Sequence, residues 1–75
     1  MNNTITEALA DKMLRHCRGG YLGLAWEVFD AAGNPTPMKA LHPGSWVVAD
    51  NYYGYLFLRV TTDMSLIECT RVDET

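Results

Sequence analysis

Positive charge is scarce and scattered in this chain. Lys12, Arg15, Arg18, Lys39, Arg59 and Arg71 stand against nine carboxylates and never form a run. A phosphate backbone is neutralised by clustered cations, so direct nucleic-acid binding is disfavoured. Cysteine is nearly as sparse. A small secreted scaffold is normally stapled by several disulfides, and Cys17 and Cys69 alone instead fit two free thiols in a reducing cytoplasm. No apolar run approaches the roughly 18 residues of a membrane span. The first twenty residues carry Glu7 and Asp11 without an apolar stretch, so neither a membrane helix nor a signal peptide is expected.

Catalytic and metal signatures are missing too. Zinc ligands usually come in pairs about two to four residues apart, whereas His16 and Cys17 are adjacent and His42 and Cys69 stand alone. No metal or cofactor is expected. A cysteine nucleophile needs a nearby base and a lowered pKa. Cys17 falls at a helix C-terminus, where the dipole opposes a thiolate, and Cys69 falls in an apolar-flanked strand. There is no Gly-x-Ser-x-Gly elbow, and the pair Gly19-Gly20 follows a helix, whereas phosphate loops precede one. The acids Glu27, Asp30, Asp50 and Glu68 are strand residues or strand ends, and Glu27 and Glu68 suit ion pairs with Arg59 or Arg71 on an open sheet face better than a paired-carboxylate cleft. An enzyme is not expected.

What the chain does contain is a core. Its 75 residues are 48% apolar, with two tryptophans, four tyrosines and two phenylalanines, and its net charge is −3. That length supports a single domain, 1–75, with a thin stability margin. Thr4 and Glu7 match a capping box, and Ile5, Leu9, Met13 and Cys17 recur every four residues, which predicts an amphipathic helix over 4–18. Asp11 and Arg15 are spaced for an acid-before-base pair, and Gly19-Gly20 is a helix stop.

From Tyr21 the period becomes 2. Leu22, Leu24, Trp26 and Val28 point one way, and Tyr21, Gly23, Ala25 and Glu27 the other, which predicts a strand over 21–29. A turn follows at Asp30-Ala31-Ala32-Gly33-Asn34-Pro35, and the segment 35–44 holds all three prolines. Further strands are predicted at 45–50, 55–61 and 65–72, with a hairpin at Asn51-Tyr52-Tyr53-Gly54. The expected fold is α+β: an N-terminal helix packed on a four-stranded antiparallel sheet, either open or curled into a small SH3-like barrel.

Tyr52, Tyr53 and Tyr55 sit at or beside one hairpin tip, and a two-residue loop cannot bury both Tyr52 and Tyr53. Tyrosine combines a broad apolar face with a polar tip, which suits an interface hot spot. With Asp50 and Trp46 they form the candidate protein-binding site, although Trp46 fits the core equally well and tyrosines also pack plainly on sheets. The strand 21–29, with one internal charge and no proline, is a second candidate surface: an exposed edge of this kind suits a homodimer or strand addition.

The chain resembles in size and charge the compact accessory proteins of phages and mobile elements, among them inhibitors of host defence complexes. That resemblance implies a small acidic module that inhibits or modulates a larger protein by steric occlusion. The alternative is a nucleic-acid-binding module whose sheet aromatics stack bases while arginines gather nearby.

Overall fold

The computed structural model describes residues 3–17, 25–51 and 54–73. Strand β1, Thr4–Thr6, runs directly into helix α1, Glu7–Leu14. Four more strands follow: β2, Ala25–Phe29; β3, Trp46–Asn51; β4, Gly54–Val60; and β5, Leu66–Val72. They form one five-stranded sheet in the order β1-β5-β4-β3-β2. The β2–β3, β3–β4 and β4–β5 pairs are antiparallel, while β1 lies parallel to β5.

The expected four-stranded antiparallel sheet is therefore corrected to a five-stranded mixed one, and the sheet does not close into a barrel. The helix is shorter than predicted because Thr4–Thr6 joins the sheet, with Ile5 opposite Arg71 and Thr70 N–H donating to the Asn3 carbonyl. Two β-branched threonines and an isoleucine are good strand formers, and the strand places Ile5 in the core. The helix cap moves with it. Thr6, in extended conformation, accepts from the Leu9 N–H at 3.2 Å, and Glu7 is freed for another partner. Past Leu14 the chain tightens into short turns, with His16 N–H on Met13 O and Cys17 N–H on Leu14 O. The predicted Gly19-Gly20 stop and the first part of the strand over 21–29 lie outside the described residues.

The helix lies against one side of the sheet. Ala10 and Met13 pack with Ile5, Phe29, Trp46, Val48, Phe57 and Cys69 in a single buried cluster. Residues paired across antiparallel strands share a face, and the register Phe29↔Trp46, Val48↔Phe57 and Phe57↔Cys69 lines up this covered side. The turn after β2 is locked beneath the helix. Asp30 Oδ1 accepts from the Ala32 and Asn34 N–H groups at 3.0 and 2.9 Å, and Lys12 Nζ donates to Ala32 O at 3.0 Å. Gly33 has φ +85°, and a Cβ there would stand 2.7 Å from Leu9 Cδ1. Only glycine meets both demands.

On the far flank Arg71 ties three elements together. Its Nε donates to Glu7 Oε1 at 2.5 Å, its Nη2 donates to Asp11 Oδ1 at 2.9 Å, and its guanidinium lies 5.7 Å from the centre of the Phe57 ring. Both acids that the sequence assigned to local helix roles instead accept from a residue some sixty positions away. After β2 the chain 34–36 doubles back along its outer edge, where Thr36 N–H donates to Val28 O and Pro35 bridges Phe29. A single 3-10 turn, Met38–Ala40, then leads towards β3.

Candidate functional site

The alternation expected in β2 is present, but its two sides are exchanged relative to the core. Glu27 pairs with Val48 and Phe29 with Trp46, so these residues face the helix. Glu27 is accordingly half-buried rather than solvated. Trp26 pairs with Ala49, and Val28 with Val47, on the opposite face. By the same register that face carries Leu56 and Leu58 from β4 and Leu66, Glu68, Thr70 and Val72 from β5.

This second face is apolar and only partly open to solvent, since Val60, which shares it through its pairing with Leu66, is buried. Trp26 is 49% exposed, Leu66 42% and Val72 38%. Val28, Leu56 and Leu58 are half-buried, and between them the smaller Val47 and Ala49 are shielded. Single exposed apolar side chains are ordinary, whereas a contiguous set marks an interaction surface. At the end of the sheet an open groove of about 600 Å³ is walled by Val60 and Leu66 of this face, by Arg59 and Ile67 of the covered face, and by Gly44 and Asp63 of the adjoining turns. Asp63 on its wall stays ionised: the Thr61 hydroxyl and Ser65 donate to its carboxylate and hold its pKa below the usual range.

The residues first nominated from sequence fall elsewhere. Trp46 is 4% exposed and fills the core beneath the Arg59 guanidinium, 5.6 Å from its ring. It cannot serve as a contact surface in the folded chain. Asp50 is 9% exposed and faces the helix side opposite Tyr55. Tyr55 is 37% exposed beside the hairpin, on the covered face. Its phenol pKa is raised, first by burial and then by Asp50 and Cys17. Tyr52 and Tyr53 lie outside the described residues, between the paired Asn51 and Gly54. The structure thus groups Asp50 and Tyr55 with Glu27 and Cys17 at one end of the covered face and leaves Trp26 and Leu66 on the other.

Reactive groups are quiet where they are seen. Burial pushes the Cys17 thiol up to about 11, helped by Glu27 and Asp50, and burial also raises Cys69. Both are protonated at neutral pH and poor nucleophiles. The sequence reading passed over one pair, Ser45 and His42, whose Oγ and Nδ1 are 3.2 Å apart. The Ser45 hydroxyl is fully buried and accepts from the His42 N–H, and His42 Nδ1 also lies 2.9 Å from Ala40 O. These contacts clamp the turn into β3 and leave no exposed nucleophile there. Among the described residues no group of three or more His, Cys, Asp or Glu is placed to hold a metal ion. No helix among them is long and apolar enough to cross a membrane.

The open face was missed for an identifiable reason. Placing the charged Glu27 on an open sheet face puts its alternates Trp26 and Val28 on the other side. The available warning was Phe29, one residue out of phase and large enough to claim the core for the other side. No family model, curated protein or solved structure matches the chain.

Proposed function

We propose that this chain is a small acidic protein-binding module that works in the cytoplasm and inhibits or modulates a larger protein by occluding part of its surface. One observation carries this reading: the apolar sheet face around Trp26 and Leu66, which stands open on the side away from the helix. A domain of this size has a thin stability margin, and exposing large apolar side chains costs it solvation free energy, which a partner that covers them returns. The charge balance supports a protein partner over a nucleic acid. Arg71 is engaged with two carboxylates, Lys12 with a carbonyl and Arg59 with an aromatic ring, so three of the six basic side chains already have protein partners.

The test is affinity purification from the native host, with co-purifying proteins identified by mass spectrometry. Three baits are compared: the parent chain, a Trp26→Glu/Leu66→Glu variant of the open face, and a Tyr52→Ala/Tyr53→Ala variant of the hairpin. The expected result is a defined partner captured by the parent and lost from the open-face variant, with both variants melting near the parent temperature. Loss from the hairpin variant alone would move the contact to the tyrosines. If no protein is retained specifically by the parent, the protein-binding reading fails.

A further inference from the structure

The charge carried by the two faces of the sheet differs sharply. On the helix side lie Glu27, Asp50, Arg59 and Arg71, together with Glu7, Asp11, Lys12 and Arg15 of the helix layer. Among the strand residues of the open side the one charge is Glu68, paired in register with Leu58 and lying on β5, the strand of the apolar set farthest from β2. Two further carboxylates flank it along the chain: Asp63, held ionised in the turn before β5, and Asp73, exposed just after it. No lysine or arginine belongs to the open side of any described strand.

From this segregation we infer that the open face docks an amphipathic helix of another protein, one whose apolar stripe is flanked by lysine or arginine. The inference rests on the protein-binding reading above and names the partner's chemistry. Trp26, Val28, Leu56, Leu58 and Leu66 supply the apolar seat, and Glu68, on the bordering strand, meets the basic flank. The dimensions agree. Strands β2 to β5 at about 4.8 Å spacing span roughly 14 Å between their axes, enough for a helix of about 10 Å diameter. A second copy of this chain is the poorer occupant. It would bring Glu68 of one face towards that of its twin, between two chains that each carry a net charge of −3, and like charges in a desolvated contact oppose association.

The experiment uses two synthetic 18-residue helical peptides with the same leucine stripe at i, i+3, i+4 and i+7 spacing, one flanked by lysines and the other by glutamates. Each is titrated into the isotope-labelled full chain and followed by NMR. The expected result is binding of the lysine-flanked peptide at least tenfold tighter than the glutamate-flanked one. Shifts should concentrate on the Trp26 indole and the methyls of Leu56, Leu58 and Leu66, and added salt should weaken binding. Glu68→Lys, at an exposed site, should reverse or abolish the preference without disturbing the fold, which the unshifted resonances of Phe29 and Met13 would verify. Equal affinity for both peptides, no binding of either, or shifts confined to the helix side would overturn the proposal. So would concentration-dependent self-association that masks Trp26, or preferential binding of the face to phospholipid vesicles. A partner captured from the host through the hairpin, with neither peptide binding, would overturn this inference and leave the protein-binding reading intact.

Discussion

The two faces of this sheet use the same kinds of residue to opposite ends. On the covered side, Phe29, Trp46, Val48 and Phe57 are sealed by Ala10 and Met13 of a helix only eight residues long. On the open side, Trp26, Leu58 and Leu66 are just as apolar but have water for a neighbour in whole or part. Burial of the large rings therefore follows helix α1, whereas on the other side only Val47, Ala49 and Val60 are buried among the described strand residues, and composition alone does not assign this. The helix is anchored by its turn contacts and by Arg71, both on the covered side. The largest buried rings, Phe29, Trp46 and Phe57, thus lie on the covered side, while Trp26 and Leu66 on the other side stay exposed.

The sharpest way to break that contrast is to cut into the sealed side. Phe29→Ala removes a ring that is 1% exposed, and buried Phe→Ala changes cost about 3–5 kcal/mol. Denaturant titration should show that loss, close to the whole stability of a domain this small, and a cost under about 1 kcal/mol would mean that Phe29 is not a core residue. Next comes the joint between helix and sheet. Gly33→Ala places a Cβ 2.7 Å from Leu9 Cδ1 at φ +85°, and a loss of about 1–2 kcal/mol is expected. An unchanged melting temperature would show that the turn does not hold the helix.

A smaller effect is expected at high pH. The folded Cys17 pKa is about 11 against an ordinary 9.0, so the folded state favours the neutral thiol. Its contribution is complete below about pH 9 and is lost as the pH rises towards 11. Cys17→Ala should flatten the decline of stability over that window, and an identical decline in the variant would remove Cys17 as its source. The smallest change is predicted on the open side. Leu66→Ser should alter stability by no more than about 0.5 kcal/mol, because the side chain is already half in water. A loss comparable to that of Phe29→Ala would abolish the distinction between the faces.

Much of the local structure was legible in the chain. The period-2 segments, the two-residue hairpin between Asn51 and Gly54, and the turn beginning at Asp30 all follow from side chains near one another in sequence. The candidate site was far less legible. The tyrosine hairpin stood out because aromatic residues cluster there, yet Trp46 went to the core and Asp50 was buried. Glu27 reads as the solvent-facing member of β2 because its charge is the only guide when one strand is read alone, yet it faces the helix side.

Taken alone, the residue order determined that a helix near the N-terminus precedes strands close to β2, β3, β4 and β5 and where the turns after β2 and between β3 and β4 fall, since caps, glycines and alternation act over a few positions. It also determined the acidic balance and the absence of clustered cations. Tertiary structure alone decided that Thr4–Thr6 pairs with Thr70–Val72 and that Arg71 reaches back to Glu7 and Asp11. It also decided which side of the sheet the helix would cover. Alternation is symmetric, so a strand with apolar residues on both sides specifies two faces without ranking them. The ranking comes from a helix docked by contacts some sixty residues apart in the chain, which no local pattern encodes.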